Sequence, residues 1–223
     1  MAKKLAVLHT SFVFINVETM MNDLFKEILK DTEVIHFVDS SLLAQVMAAG
    51  KVTDESVRRM TWLAKAAEAS GADLILSACS SLGPAVDVAR HLVKTPIVKI
   101  DDAMAQAAAE KAAKVGVLAT VPTTLAPTAE LIREKAEGLG KPIEVSPKLC
   151  EGAFERLMSG QKESHDEMVL AGARELAPRV ELIALAQASM TRLAPKLSQE
   201  TGLPVLSSPR LGIEYIAHLL EQS

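Results

Sequence analysis

The chain has 223 residues, 49% of them hydrophobic and 23% charged, which is a globular composition outside the polar, highly charged range of disordered chains. A net charge of −4 with one Trp and one Tyr supplies neither the clustered cations nor the aromatic platform of a nucleic-acid-binding surface. Two cysteines cannot build a disulfide framework, and no uncharged apolar run reaches the roughly 18 residues of a membrane span, so a cytoplasmic chain with no nucleic-acid and no membrane partner is expected.

Met1 to His9 joins two lysines to an apolar run, but Glu18 and Asp23 follow and no small-residue cleavage site does. Leu5–Leu8 therefore reads as a buried first strand. Further short apolar runs follow at Val34–Val38, Leu74–Leu76 and Ile97–Ile100, then at Val115–Leu118, Ile143–Val145, Leu182–Leu185 and Val205–Leu206. Helical stretches lie between them: 54–69 with apolar residues at helical spacing, the alanine-rich 102–113, then 128–137, 164–176 and 212–221. Strand–helix alternation of this kind predicts βαβ units and parallel sheets.

The pattern also repeats. Asp73–Ser81 falls on Glu181–Ser189, and Pro96–Val98 on Pro204–Leu206, at one offset of 108 residues. Lys4–Thr10 falls on Lys114–Thr120, and Gly50 on Gly160, at an offset of 110. Self-similarity at a nearly constant spacing marks a duplication. The predicted fold is α/β with two duplicated lobes, each a short, mostly parallel sheet flanked by helices. The N-terminal lobe spans 1–100, with 207–223 packing back on it, and the C-terminal lobe spans 101–206. A ligand outside the carboxyl ends of the strands would then lie in an inter-lobe cleft.

The residues at those strand ends are the site candidates. They are His9, Thr10, Ser11, Cys79, Ser80 and Ser81 in the first lobe, and Thr120, Thr123, Thr124, Gln187 and Ser189 in the second. Cys79 ends a strand and precedes a helix start, where the positive end of the helix dipole lowers a thiol pKa from about 8.5 toward neutrality. The hydroxyls, with helix-start N–H groups, form a cradle for a carboxylate, although Ser and Thr at helix starts also serve as ordinary caps. With no Arg or Lys at these ends, the expected ligand is a small carboxylate or carbonyl compound held by neutral donors. Cys150 and His36 read as packing residues, and His91, His165 and His218 as surface or satisfied core residues. No His/Cys/carboxylate spacing suggests a metal site. No Gly-rich nucleotide motif and no Gly-x-Ser-x-Gly elbow is present.

The run Ser77-Ala78-Cys79-Ser80-Ser81 resembles the Ala-Cys-Asn-Thr-like run of the aspartate/glutamate/hydantoin racemase superfamily. Val117-Leu118-Ala119-Thr120, Gly152-Ala153-Phe154 and the strand from Leu182 to Met190 extend the resemblance over nearly the whole chain. It implies two α/β lobes, a cofactor-free site, a homodimer or larger homo-oligomer, and proton transfer at the carbon α to a carboxylate or carbonyl. Cys79 matches the family's first cysteine, and Ser80, Ser81, Thr10, Ser11 and Thr120 match positions that hold substrate. The second cysteine falls on Gln187, whose amide has no useful pKa.

Three functions follow as expectations. One is a cofactor-independent racemase or epimerase, with His9 as the candidate second acid. Another is a single-cysteine decarboxylase, isomerase or lyase acting through an enolate. The last is a non-catalytic carboxylate-binding protein that uses Gln187 as a hydrogen-bonding amide.

Overall fold

The computed structural model describes residues 2–12 and 19–222. The chain divides into two compact units, residues 1–100 with 209–223, and residues 101–208.

The first unit holds strands β1 (Lys3–His9), β2 (Thr32–Val38), β3 (Leu74–Ser77) and β4 (Ile97–Lys99). They form a parallel sheet in the order β2-β1-β3-β4. Its helices are α1 (Met20–Ile28), α2 (Leu42–Ala49), α3 (Asp54–Ala69), α4 (Gly83–Ala89) and the C-terminal helix Ser208–Gln222, most of which belongs to this unit. The two inner strands are buried on both faces, which is why they read as continuous apolar runs rather than alternating ones. On one face Leu5, Val7, Leu74 and Leu76 meet Met21 and Phe25 of α1 and Ile213 and Ile216 of the C-terminal helix. On the other, Ala6, Leu8 and Ile75 meet Leu42 of α2, Met60 and Ala64 of α3 and Val86 of α4. Each large side chain so buried contributes roughly 1.5–3 kcal/mol of transfer free energy, so the unit needs no covalent staple.

Local sequence starts α3 firmly. The Thr53 hydroxyl accepts from Ser56 N–H at 3.2 Å, and the Ser56 hydroxyl accepts from Thr53 N–H at 3.0 Å. Asp54 and Glu55 stand in the first turn, where negative charge suits the dipole.

The second unit repeats the design. Strands β5 (Lys114–Ala119), β6 (Glu144–Leu149), β7 (Leu182–Leu185) and β8 (Val205–Ser207) pair in parallel in the order β6-β5-β7-β8. The helices are α5 (Asp102–Lys111), α6 (Pro122–Gly138), α7 (Ala153–Met158), α8 (Lys162–Leu176) and α9 (Ala194–Thr201), so the C-terminal helix is α10. Leu118, Ile183 and Leu185 pack against Val169, Ala173 and Leu176 of α8 and Leu197 of α9.

Helices α1, α2 and α9 were not among the expected elements and α10 starts at Ser208 rather than 212; two further departures have a local reason. Strand β6 runs on to Leu149 through Pro147, beyond the run at 143–145. It pairs only with β5, and an edge strand tolerates a residue without an N–H. Helix α6 begins at Pro122, six residues before the predicted start, with Pro127 inside it. Pro122 suits a first turn, where its missing N–H has no intrahelical partner to lose. Among the described residues no helix is long and apolar enough to cross a membrane.

Candidate functional site

The parallel strands of the first unit bring His9, Thr10 and Ser11 to the end of β1 and Cys79, Ser80 and Ser81 to the end of β3. The neighbouring strands are hydrogen-bonded there, with Ala78 N–H donating to Leu8 C=O at 3.1 Å. Cys79 has extended backbone, φ −133° and ψ 109°, and its carbonyl accepts from Leu82 N–H at 3.2 Å. The chain turns there into a 3-10 segment, Ser80–Leu82, that leads directly into α4. Cys79 is half-buried, Ser81 is buried, and Ser80 is half-buried.

The second unit builds the same turn at Gln187. Its φ of −139° and ψ of 137° are extended, its carbonyl accepts from Met190 N–H at 3.1 Å, and a 3-10 segment, Ala188–Leu193, follows. The duplicated sequence thus yields a duplicated backbone, with a thiol at one copy and an amide at the other. The Gln187 amide is engaged within its own unit. Its Oε1 accepts from Thr120 N–H at 2.6 Å and from Val121 N–H at 3.3 Å, and its Nε2 donates to Thr120 Oγ1 at 2.9 Å. Thr120 is buried at the end of β5, while Thr123 and Ser189 are half-buried. Thr124 is buried and turns its hydroxyl onto Val121 C=O at 2.8 Å, an ordinary local bond at a helix start.

His9, the candidate second acid, is paired with another imidazole. It is 2% exposed, and its Nε2 lies 3.0 Å from His36 Nδ1 on β2. Strand alternation gives it the face of Leu5 and Val7, against α1 and α10, whereas Cys79 packs against the core on the opposite face. Burial, aided by His36, pushes the His9 imidazole down to about 4, and burial alone lowers His36. At pH 7 His9 is therefore predominantly neutral.

The pair has a consequence for stability. Unfolded His9 takes up its proton near pH 6.5, and folded His9 near 4. The contribution is therefore complete above pH 6.5 and is lost as the pH falls toward 4, amounting to about 3 kcal/mol in all. Urea unfolding between pH 6.5 and 4.5 should show this slope, and His9→Gln should flatten it.

Cations do stand near the strand ends, where the sequence reading placed no Arg or Lys. Lys99 is the last residue of β4, is 5% exposed, and places Nζ 2.9 and 3.1 Å from the Asp87 carboxylate oxygens of α4. Lys148 lies next to the end of β6, paired with Glu175 of α8. Arg59 of α3 reaches Asp39, which follows β2. Its Nε donates at 2.7 Å, its Nη2 donates to the other carboxylate oxygen, and its Nη1 donates to Gln45 at 2.9 Å. Burial opposes ionisation of Asp39, but the bonds from Arg59 and Ser41 outweigh it and hold the carboxyl below its ordinary range. Each of these cations is matched by a carboxylate of its own unit. Sequence reading passed over them because Arg59 lies twenty residues from Asp39 and on a different element. Lys99 could have been found as a lysine inside an otherwise apolar strand.

Cys150 is buried in the core of the second unit beside α8, and burial pushes its thiol up to about 11. A Cβ on Gly172 would lie 2.6 Å from its Sγ, so a glycine at 172 is what admits the thiol. His165 is also buried. Its Nδ1 lies 2.8 Å from Asp166, which takes both ends of the Arg192 guanidinium, while its Nε2 has no partner among the described residues. It is therefore not the fully satisfied core residue expected from the sequence. Among the described residues no group of three or more His, Cys, Asp or Glu could hold a metal ion.

Comparison with known proteins bears on this arrangement. A family described as Asp/Glu/Hydantoin racemase matches residues 15–216. No curated protein matches the chain. A glutamate racemase structure from Bacillus anthracis is 13% identical with a TM-score of 0.77, covering 99% of this chain and 82% of that one. An aspartate racemase homologue from Pyrococcus horikoshii OT3 is 19% identical with a TM-score of 0.70, covering 99% of this chain and 100% of its own. An allantoin racemase from Klebsiella pneumoniae is 16% identical with a TM-score of 0.65, covering 99% and 88%. At these identities the likeness is one of fold.

Proposed function

Since the chain belongs to the Asp/Glu/hydantoin racemase family, we propose that it moves a proton at the carbon α to a carboxylate or carbonyl, with Cys79 as the proton carrier. The observation that carries this reading is the placement of the two thiols. Cys79 ends an inner strand, half-buried, beside the hydroxyls of Ser80 and Ser81, whereas Cys150 is buried with its thiol pushed to about 11. In the proposed step the Cys79 thiolate takes the α proton. The electron pair of the broken C–H bond moves into the adjoining carbonyl as an enolate, and a proton then returns to the carbon. Thr10, Ser11, Ser80, Ser81 and Thr120 are the proposed neutral donors for the substrate oxygens, and no cofactor takes part.

A second reading is favoured by one specific observation. At the repeat-related position stands Gln187, an amide already held by three hydrogen bonds, which neither gives nor takes a proton. Proton traffic through a single thiol suits one-faced chemistry, such as decarboxylation or isomerisation through an enolate.

Proton NMR in D₂O separates these readings. Aspartate, glutamate, a hydantoin and an arylmalonate are offered in turn. Loss of an α-proton signal with formation of both enantiomers supports the racemase. Exchange with retention, or deuterated product with release of CO₂, supports the one-faced reading. Thermal stabilisation by one of these compounds without any exchange would instead favour a carboxylate-binding protein.

A further inference from the structure

We propose that Gln187 is a positioning residue that commits the Thr120 hydroxyl to act as a hydrogen-bond donor; the identity of the acceptor rests on the proton-transfer reading above, the positioning itself does not. The orientation of the amide follows from its partners. Backbone N–H groups of Thr120 and Val121 can only donate, so the amide oxygen must face them, at 2.6 and 3.3 Å. That places the amide nitrogen at Thr120 Oγ1, 2.9 Å away, as a donor. A hydroxyl that accepts from an amide keeps its own proton for another partner. Thr120 is 3% exposed, and among the described residues its proton has no acceptor. A buried donor left in this way costs stability unless something takes it, and a carboxylate or enolate oxygen of the substrate is the acceptor the reaction would bring.

The same three bonds fix the junction between β5 and α6. The carbonyl of Ala119, just before it, accepts from Cys150 N–H at 2.8 Å, so the junction is tied on both sides, to β7 by Gln187 and to the end of β6 by this bond. Gln187 thus holds Thr120 in place and sets the direction in which its hydroxyl is free to donate. The residue that stands where a second thiol was expected takes on the task of orienting a neighbour.

Two substitutions separate this from a purely structural role. In Gln187→Ala the Thr120 and Val121 amides lose their acceptor, and hydrogen exchange read by NMR should accelerate at least tenfold at both, with the amide of Leu76 in the first unit unchanged. In Gln187→Glu the new carboxylate still accepts both N–H groups, so protection should persist. It cannot donate to Thr120, whose hydroxyl must turn inward toward it. The introduced carboxyl should therefore titrate below the ordinary glutamate range by ¹³C NMR, and adding Thr120→Val should raise it by about one pH unit. Unaltered amide exchange in Gln187→Ala, or a titration indifferent to Thr120→Val, overturns the proposal.

The chemical arm uses the D₂O exchange of the same four compounds. Gln187→Glu should lower kcat/KM at least tenfold, to the level of Thr120→Val, and the double variant should be no worse than either single one. Exchange at the wild-type rate in Gln187→Glu also overturns the proposal. Absence of exchange in the wild-type protein counts against the proton-transfer reading instead, and the amide and carboxyl measurements then decide the role of Gln187 by themselves.

Discussion

Cys79→Ser is expected to abolish α-proton exchange, lowering the rate about a thousandfold or more, while leaving the thermal midpoint within a few degrees. A serine hydroxyl is nearly isosteric with the thiol but far less acidic, and general acid–base catalysis by a positioned group is worth on the order of 10²–10⁴-fold. The contrast is Cys150→Ser. That thiol is buried among Leu118, Ala153, Val169 and Ala173 with its pKa raised to about 11, so a hydroxyl there would need a partner the core does not offer. The expected cost is about 1–3 kcal/mol of stability with the exchange rate per folded molecule retained. Denaturant unfolding and D₂O exchange on the two variants give the comparison. A Cys79→Ser protein that still exchanges the α proton at the wild-type rate would remove the thiol from the mechanism.

Gly212→Ala is expected to destabilise the protein by about 3 kcal/mol, against the usual sign of a helical Gly→Ala change. In a free helix the alanine gains about 1 kcal/mol. At 212 the new Cβ would lie 2.4 Å from the Ile100 carbonyl oxygen and 2.9 Å from Ile100 Cδ1. Ile100 cannot simply yield, because its N–H donates to Ser77 C=O at 3.0 Å beside β4. Helix α10 must move instead, which loosens the packing of Ile213, Ile216 and Leu220. Gly138, at the end of α6, has no positive φ, and a Cβ added there would meet nothing within 4 Å. Gly138→Ala should therefore be neutral or stabilising by up to about 1 kcal/mol, and urea unfolding of both variants reads the difference.

The inner strands β1, β3, β5 and β7 were legible because each is a short apolar run in a sheet covered on both faces, so strand and core coincide in the sequence, whereas the edge strand β6, with Glu144, Ser146, Pro147 and Lys148, was caught only at its start. The duplication was legible for the same reason: Asp73–Ser81 and Glu181–Ser189 build one turn twice, down to matching backbone angles at Cys79 and Gln187. What escaped was whatever depends on two distant residues meeting. His9 looked like a free strand-end imidazole because nothing in sequence announces that His36 will lie 3.0 Å away on the next strand. The start of α6 was hidden by Pro127, since a proline inside a helix reads as a stop until its tertiary setting is known. The three bonds of Gln187 span 66 and 67 residues, and only the pairing of β5 with β7 makes them local.

The membership of α10 has a consequence for the order in which the chain can fold during synthesis. Residues 101–208 form one uninterrupted stretch, and all of it leaves the ribosome before the last helix does. The first unit begins earlier but is completed only by residues 209–223: α1 covers part of the face of Leu5, Val7 and Leu76, and Ile213 and Ile216 cover the rest. Until then a nascent chain carries that face only partly covered. The unit begun first is therefore completed after the unit that follows it in the chain.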